Sequence, residues 1–416
     1  MTIPEAKRVL YFAENAISSV QGGGIVVYNV LKGLPAENLL GFFQYRNITP
    51  APEYRERFHF IGPERIPGWM QRVRRRNRFL DATVLSLTYD HVAATDLAFV
   101  ERVVSDASFK PEVVYFSGLS LRFMRLAVLA AERYDVPMVL LHMDDWMEAE
   151  RHRFGRWGDR AYRRIVFNMT RAAARSLAST TNSPSLANKV TELTGHEHKP
   201  ANNCCEDLLE LDPDSTASWP EVPVITYAGA LNWHLQGETL VMLASAIAEL
   251  NAEGTRVELH IYAPWEFAPI ANANEIPGAV FYKGQVSKEQ LVDVYRNSTF
   301  LVSSTTFRRD NLHLFRHSLS TKLSEYLSVG KPVLSIGHPD WHLHEYVQEH
   351  TCGFSIYTDE NYKRAIVKQQ IIEMLETPQA ELEEIGRRNR VLWERAHDVR
   401  KMSTETRRAL NLPVET

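Results

Sequence analysis

From one end of the chain to the other, short apolar runs rich in β-branched residues alternate with stretches of helical period. This alternation constrains the fold more than any other feature. Residues 8–12, 113–116, 138–141 and 179–181 read as strands. Between them Val27, Val30, Leu31 and Leu34 recur at i, i+3, i+4 and i+7 after Gly24, and a second helical pattern runs through 121–133. A second series of strands follows at 224–227, 257–262, 280–282, 299–302 and 332–336. Strands separated by helices cannot be joined as hairpins, so the pattern predicts an α/β chain with parallel sheets covered on both faces. The stretch EDLLELDPDSTASWPEVP between the two series is acidic, has three prolines and lacks periodicity. It predicts a linker near 205–222 between two α/β domains of similar size. From 380 to 410 runs a long charged helical pattern with few stops, too polar for a core helix and suited to packing across both domains.

The composition is that of a globular chain long enough for two or three cores: 416 residues, 44% hydrophobic, 24% charged, 10% aromatic. General disorder and collagen-like repeats are excluded. Cys204 and Cys205 are adjacent and Cys352 stands alone, so no disulfide or metal framework is expected and a reducing cytoplasm is the simplest compartment. The apolar run before Glu14 is a strand's length, not a secretory leader, and no stretch approaches the roughly 18 apolar residues of a membrane helix. A net charge of −4 conceals strong local imbalance. Residues 51–80 carry +5 and residues 151–175 carry +7, which leaves −16 on the remainder.

Open α/β sheets bind ligands at the carboxyl ends of their strands, so the loops there are where chemistry is expected. The first such loop runs from Glu14 to Gly22-Gly23-Gly24, just before a helix, where backbone N–H groups suit an anion; glycines serving turns alone is the other reading. Val27 replaces the third glycine of a dinucleotide fingerprint, and no P-loop motif occurs. The most informative segment is STKLSEYLSVGKPVL, residues 320–334. Ser320 or Thr321 suits an N-cap, Leu323, Tyr326 and Leu327 give one apolar face, Gly330 fits the position after the helix, and Pro332 stops it. Lys322 in the first turn opposes the dipole preference for acids there, which makes sense with a diphosphate at that end, and Glu325 one turn on suits ribose hydroxyls. Arg308, Arg309 and Arg316 in FRRDNLHLFRH form a second cation set, or a solvated loop. HMDD, His142 to Asp145, follows a predicted strand. His142 or Asp144 there suits an acceptor hydroxyl, while Asp144 or Asp145 also suits a simple helix cap; a metal is not expected.

The segments FYKGQVSKEQL with Tyr295 beyond it, LVSS and TKLSEYLSVGKPVL resemble in order and spacing the nucleotide-binding half of retaining glycosyltransferases of the glycosyltransferase-B fold, family 4. The resemblance extends to the glycine loop, to Asn182-Ser183, to Tyr227-Ala228-Gly229 and to residues 386–395. It implies two facing Rossmann-like domains with a deep cleft. Residues 1–205 would form the acceptor side with a helix from about 390–416 returning to it, and 206–389 the nucleotide-sugar side. It also implies sugar transfer with retention, without metal or cofactor. The resemblance gives Glu325 the ribose; with Thr321, Ser320, Lys322, Tyr282, Gly284 and Gly229 it makes up the donor set, and Lys322, His317, His142 and Asp144 are the catalytic candidates. Four positions depart from the family pattern: His317 stands for a glutamate, Ala230 and Gln236 for the diphosphate cations, and Ser117 for a histidine. They leave Lys322, with the three loop arginines, to neutralise the leaving diphosphate.

The cluster Arg72, Arg74, Arg75, Arg76 and Arg78, interleaved with Trp69 and Phe79, suits an anionic membrane or anionic acceptor, with a solvated face as the plain alternative. No nucleic-acid module accompanies it. The expected partners are therefore a nucleotide-sugar donor and a glycan or lipid-linked acceptor, at the cytoplasmic face of a membrane, in cell-surface polysaccharide synthesis. A sugar-nucleotide epimerase of the same fold, or a non-catalytic nucleotide-binding or glycan-binding subunit, remain the alternatives.

Overall fold

The computed structural model describes residues 5–19, 22–46, 48–62, 68–74, 78–210, 218–268, 275–362 and 364–414. The chain forms two compact units, Met1–Asn202 with Val399–Thr416, and Asn203–Asp398. Among the described residues no helix is long and apolar enough to cross a membrane.

The first unit contains β1 (Val9–Phe12), β2 (Leu39–Phe43), β3 (Phe58–Phe60), β4 (Val113–Phe116), β5 (Met138–His142), β6 (Ser176–Thr181) and β7 (Lys199–Pro200), in the order β3-β2-β1-β4-β5-β6-β7. Every pairing is parallel, and β1 lies between β2 and β4 with Leu10 level with Leu40 and Val114. All four residues of β1 are buried, as a central parallel strand requires. Side chains alternate across the sheet. Leu10, Phe12, Val114 and Phe116 join the core under the helices Leu121–Tyr134 and Gly158–Ala174. Val9, Tyr11, Val113 and Tyr115 face the opposite core, which includes the helix Gly22–Leu31 and Leu410.

The second unit repeats the design with β8 (Val224–Ala228), β9 (Glu258–Tyr262), β10 (Val280–Gly284), β11 (Phe300–Ser304), β12 (Val333–Gly337) and β13 (Gly353–Tyr357). Its order is β10-β9-β8-β11-β12-β13, again all parallel. Strand order reverses between β1 and β4 in one sheet and between β8 and β11 in the other. Those reversals are the topological switch points at which doubly wound sheets open a ligand crevice.

Four strands escaped the apolar-run criterion, each for a local reason. Gly41 interrupts β2 because a Cβ there would lie 2.5 Å from the Phe58 ring. β3 is three residues long with His59 at its centre, β7 is two residues long, and β13 opens on Gly353, whose Cβ would collide with the Val333 carbonyl.

Two expectations about organisation need correction. The described ends of the acidic stretch, 205–210 and 218–222, dock on the second unit, and 211–217 lie outside the described residues. Leu208 is buried, Asp207 receives Arg390 at 2.8 and 2.9 Å, and the Lys331 ammonium bonds the Ser218 carbonyl at 2.9 Å while lying 3.8 Å from the Trp219 ring centroid. The chain crosses between units at 202–203 instead. The charged C-terminal pattern is likewise broken. Gln379–Ala396 forms one helix that packs within the second unit through Leu382, Ile385, Leu392 and Trp393. After His397 and Asp398 the chain crosses back at 398–399, and Val399–Met402 and Thr404–Ala409 complete the first unit. The first-unit segment thus begins at 399, not near 390, because the apolar stripe of the longer helix faces the second core.

Candidate active site

The helix Thr321–Ser328 follows β11 and a long loop, and its local chemistry explains its limits. The Ser320 hydroxyl accepts from the Lys322 amide at 3.3 Å, an N-cap bond, and Gly330 at φ +68° closes the C-terminus. Position 386 must be glycine as well, since a Cβ there would sit 2.3 Å from the Gly330 carbonyl oxygen. Within the helix, Ser324 and Ser328 hydroxyls bond back to Thr321 and Glu325 carbonyls at 2.8 Å.

From this helix Lys322 reaches across to the end of β8. A Cβ at Gly229 would lie 2.1 Å from Lys322 Nζ and 2.3 Å from Cε, so the ammonium occupies the space a side chain would take. Gly229 itself has φ +144°, a backbone state that excludes other residues. The ammonium lies 5.9 Å from the Tyr227 ring centroid. Burial holds its pKa below the ordinary 10.5, and the Glu325 charge partly opposes that shift. One turn on, Glu325 Oε2 accepts a hydrogen bond from the Tyr295 hydroxyl at 2.9 Å. Tyr295 is fully buried and packs edge-on against Tyr326 at 5.2 Å. A cation beside the switch point and an oriented carboxylate one turn away are thus held by residues distant in sequence.

The remaining candidates of the second unit spread along the same edge. Tyr282 donates its hydroxyl to the Ala263 carbonyl at 3.1 Å, and Gly284 at φ +77° ends β10, two strands out from β8. Arg308 is engaged by Glu238, with bonds of 2.5 and 2.9 Å, so it is a neutralised cation. Arg309 and Arg316 are exposed, Thr321 is exposed, and His317 is half-buried.

In the first unit, Gly24 is explained by packing. A Cβ there would meet the Ala16 carbonyl at 2.5 Å and the Ser18 amide at 2.9 Å, and Gly23 lies against Met143. Gly22 begins the helix. His142 closes β5 but is 1% exposed. Neither ring nitrogen has a hydrogen-bond partner among the described residues, and burial together with His198 lowers its pKa to about 3. It is a neutral imidazole in the core. Asp144 adopts φ +59° and accepts from Asn182 at 3.3 Å, while Asp145 takes the N-cap position yet directs its carboxylate to Lys189 at 2.6 Å. Arg72 is exposed on the helix Gly68–Arg74, and Arg78 begins the helix Arg78–Asp106; Arg75 and Arg76 lie outside the described residues.

Sequence reasoning named Glu14 only as the start of a loop and Tyr295 only within the family resemblance, with no role of its own. Glu14 is 2% exposed directly after β1. Its carboxylate accepts from the Leu119 amide and the Ser120 hydroxyl, and its carbonyl accepts from Gln44 and Tyr45 amides at 3.0 and 2.9 Å. One residue therefore ties together the loops after β1, β2 and β4. Burial raises its pKa against the pull of those bonds. Nearby, Glu150 accepts from the Leu121 amide at 3.3 Å and from Arg153 at 2.9 Å. An acid placed directly after a buried strand run was the available signal.

Both units are doubly wound, and the fold is the glycosyltransferase-B fold. Sucrose-phosphate synthase from Thermosynechococcus elongatus superimposes with a TM-score of 0.63 at 12% identity, covering 96% of this chain and 97% of that one. An α,α-trehalose-phosphate synthase (UDP-forming) from Burkholderia xenovorans in complex with glucose-6-phosphate gives 0.62 at 11%, covering 97% and 100%. The lipopolysaccharide outer core galactosyltransferase WaaB in its apo form gives 0.54 at 15%, covering 96% and 98%. Within this fold, residues 222–376 match the model of the family described as glycosyl transferases group 1, a segment that contains Gly229, Tyr295, Lys322 and Glu325. No curated protein matches the chain. The family match and the fold together support a glycosyltransferase of the glycosyltransferase-B type.

Proposed function

We propose that the chain is a family 4 glycosyltransferase that transfers a hexosyl or deoxyhexosyl group from a nucleotide sugar to a glycan or lipid-linked glycan, with retention, in cell-surface polysaccharide synthesis. The observation that carries this reading is the Lys322 ammonium lodged against Gly229 at the switch point of the second sheet, with Glu325 one turn along the same helix. Negative charge grows on the diphosphate as the glycosidic bond breaks. A preorganised cation in a partly desolvated position stabilises that charge more in the transition state than in the ground state. Lys322 replaces in this role the cations that the family pattern puts at Ala230 and Gln236. Glu325, oriented by Tyr295, takes the ribose hydroxyls. Ser320 and Thr321 present the helix N-terminus, while Tyr282 and Gly284 bound the base side. No metal or cofactor is assigned to the reaction. The first unit receives the acceptor, at the cytoplasmic face of the membrane, with Arg72 and its neighbours toward anionic lipid.

The test is a panel of nucleotide sugars screened for thermal stabilisation. The hits are then assayed for slow donor hydrolysis, with the anomeric configuration of the released sugar followed by NMR. A stabilising donor hydrolysed with retained configuration supports transfer. Inversion at a sugar carbon other than the anomeric one identifies an epimerase, and stabilisation without turnover identifies a binding subunit; either overturns the reading.

A further inference from the structure

A concave site lies at the other edge of the second sheet. His350 follows the helix His342–Glu349 and precedes β13, so it sits at the amino ends of the strands, away from Lys322. With Glu384, Arg387, Arg388, Val391 and Arg395 of the helix Gln379–Ala396 it lines a shallow, open cavity of about 330 Å³. Positions 387, 388, 391 and 395 share one helical face.

Its charges are unevenly satisfied. Glu384 engages Arg387 at 2.6 Å and stands 3.9 Å from Arg388, which also reaches the Thr351 carbonyl at 3.4 Å. Arg395 is exposed. The His350 ring stacks edge-on against Tyr346 at 4.3 Å, and burial lowers its pKa, opposed by the nearby Glu349 charge and reinforced by Arg395. Three guanidiniums against one carboxylate leave a net charge of +2, the complement of a phosphate monoester dianion. Val391, 63% exposed between the arginines, and Leu392 below it supply an apolar wall for the carbon skeleton of the ester.

We propose that this cavity binds a small organic phosphate monoester. The guanidiniums of Arg388 and Arg395 hold the phosphate, and Val391 lies under its carbon frame. The concavity favours a free metabolite over a lipid headgroup, because a flat bilayer meets a dent only at its rim. The inference does not depend on the transfer reaction.

Its test uses the full chain at low salt, with glucose 6-phosphate titrated calorimetrically, glucose as the neutral control and phosphatidate vesicles as the lipid arm. Measuring in the Lys322→Ala background removes the diphosphate cation as a competing site. Saturable binding of glucose 6-phosphate in that background is expected, weakened at least about tenfold by Arg388→Gln with Arg395→Gln, and equally by Val391→Glu. These positions are on the surface, so unchanged circular dichroism melting confirms that the variants fold. Equal affinity for glucose, binding unaffected by both variants, absence of saturable binding, or binding to vesicles alone would overturn the proposal.

Discussion

The two sheets share one strand order and differ in what stands at the point where that order reverses. In the second unit a cation, Lys322, fills the space beside Gly229. In the first unit the corresponding place is held by acids. Glu14 and Glu150 accept from the Leu119 and Leu121 amides, so the N-terminus of the helix Leu121–Tyr134 already has its anions, supplied by the protein. The same topology therefore gives one switch point with a cation at its strand end and one whose helix N-terminus is already met by acids. A doubly wound fold supplies a place for a ligand, and the residues at the strand ends decide its charge.

The sharpest way to break this comparison is Lys322→Ala. Turnover is expected to fall roughly 10²–10³-fold with a smaller loss in donor binding, because the cation acts most on developing charge. A steady-state assay returning wild-type turnover would erase the distinction between the units. The protonation state carries the same argument. Since burial lowers the Lys322 pKa, diphosphate affinity should decline as pH rises through a value below 10.5, while Lys322→Arg holds its affinity over that range.

Glu325→Ala should weaken nucleotide binding by about 1.5–3 kcal/mol, read by calorimetry, and should also lower stability because it strands the buried Tyr295 hydroxyl. Glu14→Ala should cost stability alone. Its loss strands the Leu119 amide and the Ser120 hydroxyl, at a cost of about 1–3 kcal/mol in denaturant unfolding, and leaves nucleotide affinity unchanged. Glu14 also makes a signed pH prediction. A raised pKa means the folded state holds its proton above 4.5, where the unfolded chain has released it. That contribution to stability is present in full below 4.5 and is lost as pH climbs through the raised value; Glu14→Gln should flatten the slope. The smallest effect is Tyr295→Phe, about 1 kcal/mol or roughly fivefold in nucleotide affinity, because the substitution removes one hydrogen bond and keeps the ring packing.

Much of the fold was legible along the chain. The nine expected strands all form, since a parallel strand buried on both faces must be a continuous apolar run. Strands β2, β3, β7 and β13 were not legible, because a glycine that yields to Phe58, a central histidine or a very short edge breaks that signature. The site helix was visible down to its Ser320 cap and Gly330 stop, since capping and helix termination depend on neighbours within a few residues. The linker and the C-terminal helix misled for a common reason. Acidic or charged composition marks a solvated face, and only packing reveals the opposite face, where Leu208 and Trp393 are buried.

The sequence by itself thus determined the α/β class, the two repeats and the cap and stop of the helix within residues 320–334, all of which depend on local pattern and spacing. Tertiary structure decided which charges are available. Arg308 is claimed by Glu238 and His142 is sealed in the core, whereas Lys322 meets Gly229 and Tyr295 orients Glu325. Those partners lie about 30–90 residues apart in the chain, and the strength of a charge depends on its burial and its nearest opposite charge, which no local pattern contains.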